Sequence, residues 1–171
     1  MSFMNRAVIP AANGLTTLSI PLVGGRETKQ VLKDVRIDNS QHWQVRHWRT
    51  ITSAYRRSPW FEFYEPGLAA LYEKQFDLLH EWNLELMKWV LQALKANIEL
   101  GTLEERNPEF VLDPREICKP SNFQNQVFTR DLPIYPQVFQ DRLGFQPNVS
   151  IIDLIFNEGN QSLSLLTKAS Y

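Results

Sequence analysis

The sequence is poor in the residue types that most directly announce a chemistry. One cysteine among 171 residues excludes an intrachain disulfide and any cysteine-built zinc cluster. There are three histidines. His42 and His47 stand five apart, about 140° around a helix, so they do not share the face that two ligands of one ion need. No metal site is therefore expected. The seven glycines are scattered, and none forms a G-x-x-x-x-G-K-[ST], G-x-G-x-x-G or G-x-S-x-G pattern. That disfavours P-loop hydrolysis, dinucleotide binding and a serine nucleophile elbow. No run of about 18 uncharged apolar residues exists, so no membrane span is expected. The opening MSFMNRAVIP carries no apolar signal-like core, and the expectation is a cytoplasmic domain.

What is present is enough apolar material for one core. The apolar share is 43% and the aromatic share 12%. The net charge of −1 conceals an asymmetry: residues 1–57 hold nine Lys/Arg against three Asp/Glu, whereas residues 58–171 hold nine against sixteen. Either the two parts attract each other within the fold, or the basic part faces an anion such as a phosphate. With a sequence pI near 6.3, duplex nucleic acid is not an expected partner.

Along the chain, β-rich runs at Ala7–Ile9 and Leu15–Leu22 flank Asn13-Gly14, which favours a tight hairpin turn. Lys33–Ile37 alternates polar and apolar residues and predicts a further strand. Asp38-Asn39-Ser40 supplies helix caps ahead of an amphipathic helix over about 41–57. Its inner face carries Trp43, His47, Ile51, Ala54 and Tyr55. Its outer face carries His42, Arg46, Arg49, Ser53 and Arg56. An aromatic connector, Trp60–Gly67, is a candidate stacking surface and leads to a second core helix over about 68–94. A short strand is expected near 97–102. Proline-rich, irregular chain follows over 103–136, with a short helix near Pro114. Ser150 and Asp153 resemble a capping box opening a helix that ends at Gly159, and a last helical turn covers about 161–167. The whole reads as one α+β domain: a hairpin plus strand, two core helices, and an irregular C-terminal region ending in short helices.

His47, on the apolar face between Trp43 and Ile51, is either a satisfied core histidine or a general base tuned by partial burial. It is the catalytic candidate. Arg46, Arg49 and Arg56 with His42 form a stripe that suits phosphate oxygens, or is simply a solvated face. Arg6, beside Asn5 at the first strand, is either a solubilising end or a buried cation orienting a site. Ser150 and Asp153 read as caps, and Cys118 beside Lys119 as an inert thiol.

Taken together, NRAVIPAANGLTTLSIPL, the Trp43…His47-Trp48-Arg49…Tyr55 helix, Tyr135–Phe139 (YPQVF) and Phe145–Gly159 (FQPNVSIIDLIFNEG) resemble the WbqC-like protein family. The resemblance implies association with bacterial surface-polysaccharide (O-antigen) gene clusters, and so a role in making or modifying an activated sugar. Members of the family begin some thirty residues earlier, with a strand and a Tyr/Pro-rich stretch. The expectation is thus a single domain over 1–171 that lacks this first segment. Two functional readings follow. One is acyl or aminoacyl transfer to an activated amino sugar, with a nucleotide sugar or other phosphorylated small molecule as partner. The other is a non-catalytic sugar-binding or assembly module, for which a homodimer is one form.

Overall fold

A computed structural model describes residues 3–24, 31–101 and 132–168. Strand β1, Arg6–Ala11, pairs antiparallel with β2, Gly14–Ser19, from Arg6 opposite Ser19 to Ala11 opposite Gly14. The turn is displaced by one residue from the expected one. Ala12 and Asn13 are its central pair, and the positive φ of 119° falls on Gly14 rather than on Asn13. Only a residue without Cβ takes that angle freely. Ile9, Leu18 and Ile20 alternate onto one face of the hairpin and are buried there.

The strand expected at Lys33–Ile37 does not form. Leu32–Asp34 is a 3-10 turn, and only two isolated bridges follow, Leu22 with Ile37 and Arg36 with Leu78. The reason is a change of partner. Val23 N–H donates to Arg36 O and Asp38 N–H to Pro21 O, whereas Ile37 N–H donates to Asp77 O and Leu79 N–H to Val35 O. The segment stitches the hairpin to the helices one residue at a time, so no continuous ladder develops.

Helix α1, Trp43–Tyr55, buries the five residues expected of its inner face. Asp38 accepts from Ser40 N–H and starts a 3-10 turn, Asn39–Gln41, and His42 at φ 47° joins that turn to α1. The second core helix is in fact two. Helix α2, Phe61–Glu73, and helix α3, Leu79–Leu94, are separated by extended residues at Lys74 and Leu78. Side chains of the α1 region hold the break open: Gln44 Nε2 donates to the carbonyls of Tyr72 and Lys74, and Asn39 Nδ2 to that of Phe76. The aromatic connector is correspondingly the first two turns of α2, with Pro66 inside the helix.

Residues 97–101 form no strand, and the segment 132–136 is irregular as expected; the helix near Pro114, and Cys118, lie outside the described residues. A short helix α4, Gln140–Leu143, precedes α5, Ile151–Glu158, and α6, Ser162–Lys168, follows a 3-10 turn at Gly159–Gln161. Helix α5 is the central post. Ile152, Leu154, Ile155 and Phe156 are all buried, each contributing about 1.5–3 kcal/mol by leaving water. Phe156 meets the rings of Tyr55 and Phe61, both at 5.1 Å. Among the described residues, no helix is long and apolar enough to cross a membrane.

Candidate functional site

Between the hairpin and the helices lies a cavity of about 130 Å³. Leu18, Ile20, Ile51, Leu68, Trp82 and Leu86 supply its apolar walls, and Asn5, Arg6, His47, Tyr72, Asn83 and Ser150 bring polar groups to it. Two of the residues singled out from the sequence, Arg6 and His47, therefore line one space. The order of the chain explains how: His47 sits mid-way along α1 facing inward, and α1 lies against the strand pair that begins at Arg6.

His47 is 7% exposed, and its Nε2 lies 3.0 Å from Ser19 O. A carbonyl oxygen only accepts, so Nε2 carries the proton and Nδ1 carries the lone pair. Nδ1 makes no hydrogen bond with a described residue. Burial lowers the imidazole pKa from 6.5 to about 4, against the opposing pull of the Ser19 hydrogen bond and with help from the Arg46 charge. At neutral pH the ring is a neutral base. Trp43 packs edge-on against it at 5.1 Å, and Trp82 meets both Trp43 and Tyr72 at 5.0 Å, fixing the wall. Burial holds the Tyr72 hydroxyl above the ordinary phenol range, so it remains a donor.

His42, Arg46, Arg49 and Arg56 are not brought to this cavity. All four are exposed on the opposite side of α1. Among the described residues they make no ion pair; the pairs there are Arg36 with Asp77 and Lys88 with Glu85. Among the described residues, no group of three or more His, Cys, Asp or Glu is placed to hold a metal ion.

Ser150 and Asp153 do not form the expected capping box. Ser150 makes no side-chain cap, and Asp153, 1% exposed, turns inward instead of back to the helix start. Its Oδ2 accepts from Tyr135 Oη and Gln137 Nε2, each at 2.8 Å. Oδ1 and the Tyr55 hydroxyl are both buried without a hydrogen bond of normal geometry, yet stand close enough to perturb each other. Burial raises the Asp153 pKa, while the hydrogen bonds from Tyr135 and Gln137 and the nearby Tyr55 hydroxyl pull it down. Gln137 is a clamp: its Oε1 accepts from Gln146 N–H at 2.7 Å and its Nε2 also donates to Gln146 O at 3.0 Å. This polar cluster escaped sequence reasoning. The available signal was one carboxylate set among Ile151, Ile152, Leu154, Ile155 and Phe156, on a helix apolar all round.

The model of the WbqC-like protein family matches residues 1–119. The hairpin, α1 and the pocket residues up to Leu86 fall within that match, and the segments 135–139 and 145–159 fall beyond it. No curated protein and no solved structure matches the chain.

Proposed function

The chain belongs to the WbqC-like protein family, and from that premise we propose that it is a small enzyme of bacterial surface-polysaccharide synthesis that acts on an activated amino sugar by acyl transfer. The observation that carries this reading is the place of His47: its Nε2 is oriented by Ser19 O, and its ring lines a cavity that Arg6 also lines. A base so prepared takes the proton from an amine as it attacks an acyl carbonyl, and the leaving group of a thioester-class donor departs with the bond electrons. Ligand pockets for whole drug-sized molecules run to about 300–1,000 Å³. The cavity here, about 130 Å³, therefore takes only the reacting end of such a substrate, its nucleotide part lying outside. In this reading Arg46, Arg49 and Arg56 form a solvated face.

The test is a thermal-shift screen of the chain against nucleotide amino sugars and acyl thioesters, followed by turnover of any hit. A selective shift with turnover is expected. His47→Gln should keep the shift and lose the turnover, whereas Arg46→Gln/Arg49→Gln should keep both. Binding without turnover for every donor would replace the enzyme by a sugar-binding module. Turnover undiminished in His47→Gln would remove His47 from the chemistry.

A further inference from the structure

Arg6 opens β1 opposite Ser19, whose carbonyl oxygen holds His47. Its Nε is sealed from solvent and has no hydrogen-bond partner, and the half-buried residue lines the cavity. No described carboxylate lies within ion-pair distance of the guanidinium. A donor taken out of water and left unmade loses its solvation without return, the more so when it carries charge. An oxyanion in the cavity supplies what is missing.

Charge and size define that anion. Among the described residues, no acid lines the cavity, and Arg6 is the only permanent cation that does. His47 adds no charge at pH 7. A phosphate monoester carries close to two negative charges at that pH, and a single guanidinium would leave the second without a partner charge among the described lining residues. A carboxylate carries one, and its planar pair of oxygens matches a guanidinium. An apolar cavity of about 150 Å³ holds one benzene-sized molecule. The space here, about 130 Å³, thus suits a chain of about three to five carbons.

We infer that this pocket binds a short-chain carboxylate, free or as the acidic end of a larger substrate, with its oxygens on the Arg6 guanidinium and its carbons against Leu18, Ile20, Ile51 and Leu68. This deepens the reading of the pocket as a ligand site but requires no turnover. The experiment titrates the full chain calorimetrically with butyrate, butyramide and inorganic phosphate at constant ionic strength. Butyrate binds; butyramide, which has the shape without the charge, and phosphate do not. Arg6→Gln weakens butyrate by about 10- to 100-fold, Arg6→Lys by less, and Arg46→Gln/Arg49→Gln leaves it unchanged. Unliganded Arg6→Gln also melts at or above the wild-type temperature, because a sealed and unpaired Nε–H has been removed. Absence of butyrate binding overturns the inference, as does phosphate binding of equal strength or an affinity unaltered in both Arg6 variants. If butyrate binds through Arg6 and no sugar is turned over, the enzymatic reading fails alone. If a sugar is turned over equally well by Arg6→Gln, the carboxylate site fails alone.

Discussion

At the scale of single residues, two buried titratable groups pull stability in opposite directions with pH. His47 has a folded pKa of about 4 against an ordinary 6.5. The unfolded chain therefore binds the proton more readily, and stability is lost as pH falls from about 6.5 to about 4. The full effect is about 3 kcal/mol. Nitrogen-detected NMR of the ring checks the cause directly: Nε2 should be the protonated nitrogen, and no titration should occur near pH 6.5. A ring that titrates there would contradict both the burial and the tautomer. Asp153 behaves in the opposite sense. Its folded pKa is raised, so its contribution is present at low pH and is lost as pH rises through the folded value. Asp153→Asn keeps an acceptor for Tyr135 and Gln137 and offers Tyr55 a donor. It should fold with stability equal to or above the wild type at pH 8. Asp153→Ala strands the Tyr135 hydroxyl and one N–H of the Gln137 amide and should cost about 2–4 kcal/mol in chemical denaturation.

These residues also mark how far the site could be read from the sequence. His47 was legible because helical periodicity placed it on an apolar face, and a titratable ring on such a face is unusual wherever it occurs. Arg6 was visible only as one of two options, since strand alternation does not say whether a long side chain turns inward. The arginine stripe was legible as a face, but a helical projection cannot tell which face borders a cavity. The Asp153 cluster was out of reach because its partners, Tyr135 and Gln137, lie 18 and 16 residues away in irregular chain.

Among elements, the hairpin, α1, α5 and α6 follow from local pattern, because each has one dominant periodic face or a turn residue with a steric reason to be there. The break between α2 and α3 does not. Leu71 and Leu78 are in helical phase across it, and the interruption is set by Gln44 and Asn39 capturing carbonyls from another element. Tertiary hydrogen bonds override propensity here. Helix α5 ends for a reason that the sequence did hold, and the structure adds a second. Gly159 has φ 52°, and a Cβ there would lie 2.3 Å from Cδ2 of the Trp60 indole. The Trp60 backbone is held by its amide N–H to Phe156 O at 3.0 Å, so the indole can make room only by changing its rotamer. Gly159→Ala should therefore cost about 3 kcal/mol or more, from overpacking added to backbone strain. In a double-mutant cycle, Trp60→Ala should recover the overpacking part and leave about 1 kcal/mol of backbone cost. Additive effects of the two changes would show that the close approach is not the cause.

For the whole molecule, the question left by composition is whether the basic residues 1–57 and the acidic residues 58–171 hold the fold together. Only Arg36 with Asp77 links the two parts by an ion pair among the described residues, at 4.0 Å with both side chains more than 60% exposed. Such a pair is worth about 0–1 kcal/mol. Among the described residues, the exposed Arg46, Arg49 and Arg56 of the α1 stripe make no ion pair and repel one another weakly along one face. Among the described residues, cohesion therefore rests on the apolar core around α5, which salt does not screen. Raising sodium chloride from about 0.05 to 0.5 M shortens the reach of surface charge to a few ångströms. It should move the melting temperature by less than about 3 °C for a domain of this size, in either direction. Arg46→Gln/Arg49→Gln should stay within about 0.5 kcal/mol of the wild type and flatten any small rise with salt. A melting temperature that instead falls by more than about 5 °C over that range would mean that attraction between the two parts carries the fold. The asymmetry of charge would then be an internal device rather than a property of the surface.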